Sequence, residues 1–230
     1  RWNCRVHVSS FCIGRDVPTR GAVDRLPQML KRFLVLMADP PAGDMILQDL
    51  AGAHPIQYLR SMSLRPILIH PDPRLRRAAE SVPEIDDSIR RLAEDMLETM
   101  YDAPGVGLAA PQVGVMKRVF VMDCSDTEDE PHPMVLVNPE ITWSSEEMNT
   151  HEEGCLSIPE VYEEVTRPAR VRVRWLDLDG NAREEEFGGL WATCAQHEID
   201  HLRGRLCIDY LGSVKRSRIT DRMKKHEKER

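Results

Sequence analysis

No apolar run in this 230-residue chain approaches the roughly 18 residues that a membrane span requires. The longest early run, Phe33 to Ala38, is also shorter than a secretory signal core of roughly 7 to 15 residues. Both absences predict a soluble, non-secreted protein with no membrane partner. Basic charge is in short supply as well: 31 Lys+Arg face 38 Asp+Glu, and the formal net charge of -7 gives no global reason to expect DNA or RNA as a ligand. Internal repeats and low-complexity tracts are absent. With 41% apolar and 30% charged residues, the composition excludes a collagen, a coiled coil and a wholly disordered chain. Cysteine is too sparse and too irregular for a disulfide scaffold, with six residues at 4, 12, 124, 155, 194 and 207. Each cysteine is therefore core filler, ligand or nucleophile, and a small buried side chain is the default.

What is present divides the chain in two. Residues 1–61 carry 8 Lys+Arg against 5 Asp, while the remainder carries 23 against 33, so the sign of the charge reverses. The first segment has no sustained period and is interrupted by Pro18, Pro27, Pro40, Pro41 and Pro55. Its five Asp residues argue against an organellar transit peptide, which is poor in acids. Residues 1–61 are expected to be an extension dispensable for chemistry, with ordinary patterning starting near Met62. Leu64, Ile67 and Ile69 read as a short strand ended by Pro71-Asp72-Pro73.

Beyond Asp86 and Asp87, which suit helix capping, Ile89, Leu92, Ala93, Met96 and Met100 recur at helical spacing. Strands are expected at 118–123, 134–137 and 169–178, with 182–187 pairing back across the turn Asp179-Gly180-Asn181. A second helix is expected from about Leu190 to Arg203, closed by Gly204. The residues from Ser213 to Arg230 form a charge-rich tail with Val214, Ile219 and Met223 at roughly helical spacing. These elements predict an α+β fold of short, mostly antiparallel strands around one central helix.

That central helix carries His197-Glu198-Ile199-Asp200-His201. Positions i and i+4 share a helix face, so two imidazoles there can grip one metal ion with Glu198 beside it. Two histidines leave a four-coordinate ion short of a ligand. Cys207 stands where one metalloprotease class has its third His, but it lies in the apolar run Leu206-Cys207-Ile208 and reads as packing. Cys155, in Glu153-Gly154-Cys155-Leu156-Ser157, is the favoured third ligand, because the flanking glycine lets a backbone approach closely. A third segment, Gly105-Val106-Gly107-Leu108-Ala109-Ala110-Pro111-Gln112, partly matches a dinucleotide fingerprint, yet a helix precedes it and a strand follows. It reads instead as a place for a substrate strand to dock, with Gln112 able to donate a hydrogen bond to an oxyanion.

In this order and at these separations, the three segments resemble the signatures of the peptide deformylase family, Gly-x-Gly-x-Ala-Ala-x-Gln, Glu-Gly-Cys-Leu-Ser and Gln-His-Glu-x-Asp-His. The resemblance covers the chain from about Met62 onward, about three quarters of its length. It implies that Cys155, His197 and His201 bind one divalent metal, Fe2+ in most of the family and Zn2+ as the alternative, with water in the open fourth position. It implies that Glu198 is general base and acid, that Gln112 and the backbone amide of Leu156 are oxyanion donors, and that Gly107 pairs with the peptide substrate beside Gly105. Leu190 and Cys194 match positions of the methionine slot, whereas Thr193 departs from the larger aliphatic residue some members carry. The implied reaction is hydrolysis of the formyl group from formyl-methionyl nascent peptides in the cytoplasm. The basic tail, 213–230, looks similar to the helix by which bacterial members dock on the ribosome, so its deletion is expected to lower ribosome association and leave turnover unchanged. The catalytic domain would then span 62–212. Two other readings compete, a zinc endopeptidase on the same helix and a structural metal site. Neither a base nor an oxyanion donor is needed in a closed structural site, so Glu198 and Gln112 argue against the latter.

Overall fold

The structure, a computed structural model, describes residues 63–125 and 131–229; the extension expected over 1–61 lies outside the described residues. Helix α1, Asp87–Asp102, starts where Asp86 accepts hydrogen bonds from the amides of Ser88 and Ile89, which satisfies two of the donors a helix start leaves open. Its Ile89, Leu92, Ala93, Met96 and Met100 form one buried stripe. Strand β1 is Gly107–Ala109 and β2 is Val119–Met122. All four residues of β2 are buried, because Val119 and Val121 pack with the stripe of α1 while Phe120 and Met122 face the opposite layer. A strand covered on both sides reads as an uninterrupted apolar run for this reason. Burying each such side chain contributes about 1.5–3 kcal/mol relative to leaving it exposed.

Strands β3 (Met134–Ser144), β4 (Met148–Cys155), β5 (Ile158–Pro168), β6 (Arg170–Leu176) and β7 (Ala182–Gly188) follow. One antiparallel sheet has the order β1-β2-β3-β6-β7, and β4 with β5 forms a separate hairpin. Helix α2, Gly189–Leu202, lays Ala192, Ala195, Ile199 and Leu202 against Phe120, Leu136, Val171 and Val173 of the large sheet. The short strands around a central helix are thus as expected. Helix α2 ends at Gly204, whose φ of 72° suits glycine and where a Cβ would collide with the carbonyl oxygen of Arg76 at 2.5 Å. That closure leaves His197 and His201 one turn apart in the middle of the molecule.

Three local readings change. The segment 64–69 forms no strand; it makes single backbone hydrogen bonds, Leu68 N–H to the Gln112 carbonyl and His70 N–H to the Ser157 carbonyl. The hairpin β4–β5 was not foreseen, since Met148-Asn149-Thr150-His151-Glu152-Glu153 is polar and offers no alternating apolar face. Helix α3, Ser213–Glu229, is not a free appendage: Ile219 and Met223 are buried in a cluster with Leu75, Cys155, Leu206 and Ile208. Deleting the tail would therefore strip two core side chains as well as its charges, so deletion does not isolate the role of those charges. Among the described residues no helix is long and apolar enough to cross a membrane.

Candidate active site

Eleven consecutive residues of helix α2, Ala192 through Leu202, are buried, and besides Thr193, which donates to the Gly189 carbonyl at 3.3 Å, five of them are polar. A buried polar group costs free energy unless it is paired, so each of the five poses a question of partners. Gln196 donates to the carbonyls of Ala192 and Pro168, at 2.9 and 3.0 Å. Asp200 accepts from Arg167 Nη1 at 2.8 Å and from the Tyr210 hydroxyl at 2.7 Å. His197 Nδ1 meets Glu153 Oε2 at 2.9 Å. Two atoms have no protein partner, Glu198 Oε2 and His201 Nδ1. The ring faces that remain point together, and Cys155 Sγ lies 3.3 Å from His201 Nε2. One donor atom from each of Cys155, His197 and His201 falls within 4.8 Å of the other two. Cys207 is not part of that set.

Charge shows what the cluster can hold. Burial disfavours a charged His197 and is the largest single influence, but the hydrogen bond to Glu153 and the nearby Glu198, Cys207 and Glu153 charges together outweigh it and lift the group to about 9. His201, with burial and the nearby His197 and Arg167 acting together, is held well below the ordinary histidine value and stays neutral. The Cys155 thiol is pushed up by the hydrogen bond it shares with Cys207 and by burial. A thiolate there needs a cation, and a divalent ion held by these residues would favour a neutral His197 and a charged sulfur. One thiolate and two imidazoles are a fitting donor set for such an ion.

Beside the cluster, burial raises Glu198 to about 7, against the opposing pull of His197. Its Oε1 lies 2.6 Å from where a Cβ on Gly107 would sit, as does the sulfur of Cys194. Only glycine lets β1 pass this close to α2, which is why Gly107 stands there. Gln112 is oriented by β1 itself: its Oε1 accepts from the Ala109 amide at 2.7 Å, which leaves Nε2 to donate toward Ser157 Oγ at 3.3 Å and Cys155 Sγ at 3.8 Å. A cleft of about 440 Å³ joins these groups, lined by Gly105, Gly107, Gln112, Cys155, Leu156, Leu190, Thr193, Cys194, His197 and Glu198. Every site residue expected from sequence reaches this cleft except His201, which sits behind it as a donor. Leu190 lies at the exposed rim, and Cys194 Sγ points at the Val106 carbonyl 3.5 Å away.

Residues that sequence reasoning did not single out hold the ligands in place. Arg167 is buried and grips Glu153 with Nε at 2.6 Å and Nη2 at 3.1 Å, while its Nη1 reaches Asp200. The chain Asp200–Arg167–Glu153–His197 thus fixes the imidazole that presents its other nitrogen to the cluster. In the sequence Arg167 looks like another of the arginines alternating along 167–174, and nothing local marks it as buried.

A buried carboxylate with an unpartnered oxygen, an amide directed at the Cys155 sulfur and three mutually close donor atoms beside a cleft are the arrangement a mononuclear metallohydrolase built on a two-histidine helix would need. Comparison with known proteins narrows the class. Residues 64–217 match the model of the polypeptide deformylase family. The peptide deformylase of Afipia carboxidovorans is 56% identical over 167 residues, which are 73% of this chain and 98% of that protein. Among solved structures, the Legionella pneumophila peptide deformylase is 44% identical with a TM-score of 0.67, covering 72% of this chain and 96% of its own. The Ehrlichia chaffeensis enzyme in complex with actinonin is 41% identical with a TM-score of 0.68, covering 72% and 98%. The chain belongs to the polypeptide deformylase family.

Proposed function

We infer that the chain hydrolyses the N-terminal formyl group of formyl-methionyl nascent polypeptides, with Glu198 as the proton carrier. The observation that carries this is the buried Glu198 carboxylate, its Oε2 unpartnered, in one cleft with the Cys155 and His197 donors and with the Gln112 amide directed at the Cys155 sulfur. Cys155, His197 and His201 would hold one divalent ion, Fe(II) as our reading and Zn(II) as the alternative. When bound, such an ion supplies a water pKa lowered from 15.7 to about 7, less so with a thiolate among its ligands, and polarises the carbonyl under attack. Glu198, poised near neutrality, takes the proton of the attacking water and returns it to the departing amine. Gln112 Nε2 and the Leu156 amide stabilise the oxyanion that forms between those two steps. Gly105 and Gly107 offer open backbone for the peptide, and Leu190, Thr193 and Cys194 line the cleft that takes the methionine side chain.

The deciding experiment is anaerobic formate release from formyl-Met-Ala-Ser by the full chain, with bound iron and zinc quantified in the same sample. Turnover that tracks iron supports the reading in full, and turnover tracking zinc changes the ion alone. A filled site without formate would sink it. Gln112→Glu keeps the acceptor for the Ala109 amide and loses the donor, so it is expected to lower kcat by about 10²- to 10³-fold with KM little changed. Equal loss in binding and turnover would assign Gln112 to the scaffold instead.

We propose further that 62–212 is the catalytic domain and that a chain beginning at Met62 retains full kcat/KM, residues 1–61 being dispensable. The place of action is the cytoplasm, where formylated chains are made. The exposed Arg218 and Lys224 of α3 are proposed to meet ribosomal RNA while Ile219 and Met223 hold the helix to the core. Arg218→Glu with Lys224→Glu should lower ribosome co-sedimentation and flatten its salt dependence without altering formate release; undiminished co-sedimentation would refute the contact.

A further inference from the structure

A second recess, of about 160 Å³, lies away from the catalytic cleft, and the two share no lining residue. Its walls include His132, Glu185, Glu186, Phe187 and Trp191. Trp191 is half-buried and held from two sides: the Phe187 ring stacks against it at 6.3 Å and 16°, and His132 meets it edge-on at 6.0 Å and 72°. Trp175 backs Phe187 at 6.0 Å, so the row of rings is anchored in the core. A fixed aromatic wall of this kind attracts a cation through the quadrupole of its rings.

Strand register supplies the counter-charge. Cross-strand partners of an antiparallel pair share a face, and Glu185 stands opposite Val173 while Phe187 stands opposite Val171, both valines being fully buried. Glu185 is therefore on the inner face with Phe187. Glu184 and Glu186 alternate onto the outer face, opposite Arg174 and Arg172. Those two carboxylates are matched, Glu184 by Arg174 at 3.3 Å and Glu186 by Arg170 and Arg172, each at 3.2 Å. The Glu185 side chain is exposed and has no ion pair or hydrogen bond among the described residues. A carboxylate without a partner beside an anchored aromatic row is complementary to a guanidinium, whose flat face lies on a ring while its N–H groups meet the carboxylate. An ammonium group would satisfy the charge without the stacking.

The edge of the sheet indicates how that group arrives. Strand β7 is last in the order and pairs only with β6, so the outer side of its backbone has no strand partner among the described residues. An extended segment laid along β7 gains main-chain hydrogen bonds and turns alternate side chains toward the inner face, where the recess opens. The run Glu184-Glu185-Glu186 repels an acidic segment and favours a basic one. We propose that the β7 edge and this recess form a docking site for an extended, arginine-bearing segment of a partner protein, with the guanidinium seated against Trp191 and Glu185. The inference is separate from the deformylase reading and needs no metal.

The test titrates the full chain with acetyl-Thr-Val-Arg-Val-Thr-amide and with a twin peptide in which citrulline, equal in shape and uncharged, replaces arginine. Tryptophan emission and calorimetry are expected to show saturable binding of the arginine peptide, with the citrulline twin weaker by about tenfold or more. Glu185→Gln should weaken the arginine peptide by a similar factor of about ten, whereas Glu184→Gln, on the other face, should leave its affinity unchanged. Trp191→Leu should remove the emission change and weaken binding. Should that variant fold poorly, Glu185→Gln still decides, because the side chain it alters is exposed. Formate release from formyl-Met-Ala-Ser should be unaffected by saturating peptide. Equal affinity for the two peptides, or indifference to Glu185→Gln, would overturn the proposal. Competitive loss of formate release would do the same by placing the peptide in the catalytic cleft, and absence of saturation would leave the three glutamates as protection of a sheet edge only. The titration reads binding whether or not formate is produced, so failure of the deformylase reading would be seen separately.

Discussion

Glu198→Gln is expected to lower kcat/KM by about 10²- to 10⁴-fold, or about 3 to 5 kcal/mol of barrier, with bound metal unchanged. Glutamine keeps the shape of a side chain that is buried and passes within 2.6 Å of where a Gly107 Cβ would be, so packing between α2 and β1 is preserved. What disappears is the ability to hold a proton. The carboxylate is suited to that task because burial brings it to about 7, near the pH at which it must both accept and donate. Glu198 is not among the three mutually close donors, which is why metal content should not follow activity. Metal analysis and formate release on one preparation separate the outcomes. A fully active variant removes Glu198 from the mechanism, and a variant that loses metal in step with activity makes it a structural element.

Arg167→Leu is expected to destabilise the metal-free domain by about 3 to 5 kcal/mol, a large share of the 5–15 kcal/mol by which domains of this kind are stable. The guanidinium is buried and neutralises Glu153 and Asp200, both also buried, while stacking on the Tyr210 ring at 4.7 Å. Removing it leaves two carboxylates without water or a cation. The penalty comes from those orphans rather than from the worth of the pairs, so adding Glu153→Gln and Asp200→Asn to Arg167→Leu should return part of the loss. Urea midpoints of the wild type, the single variant and the triple variant measure this. Metal affinity should also fall by about 10- to 100-fold, because Glu153 fixes the His197 ring through Nδ1. A loss of stability below about 1 kcal/mol would mean that water reaches the cluster and screens it as at a surface.

Much of the site was legible because its parts are local. His197 and His201 are one helical turn apart whatever surrounds them, and the glycines at 105 and 107 announce close backbone contact before any contact is known. The stripe of α1, the continuous run of β2 and the alternation of β6 all follow from the period of the element that contains them. The hairpin β4–β5 escaped notice because β4 is polar and the buried residues of β5, Ile158, Val161 and Val165, are spaced too irregularly to show a clean alternation. The stretch 64–69 looked like a strand and is not one, since it finds only isolated hydrogen bonds to Gln112 and Ser157 in place of a ladder.

Arg167 and Cys207 mark the other boundary. Each has a neighbourhood in sequence that suggests something ordinary, a surface arginine in one case and a packed thiol in the other. The chain alone determined the chemistry on offer: two imidazoles on one helix face, a carboxylate beside them, a thiol and an amide in glycine-flanked segments. Tertiary structure decided which thiol joins the imidazoles, since Cys155 and His201 are 46 residues apart and meet only when β4 folds back on α2. It also decided that Arg167 turns inward and that Cys207 is buried in the apolar cluster around Leu75, Leu206 and Ile208. Spacing along a helix is set by backbone geometry over a few residues, whereas contact between distant segments depends on how the whole core closes, and burial of charge becomes visible only once it has closed.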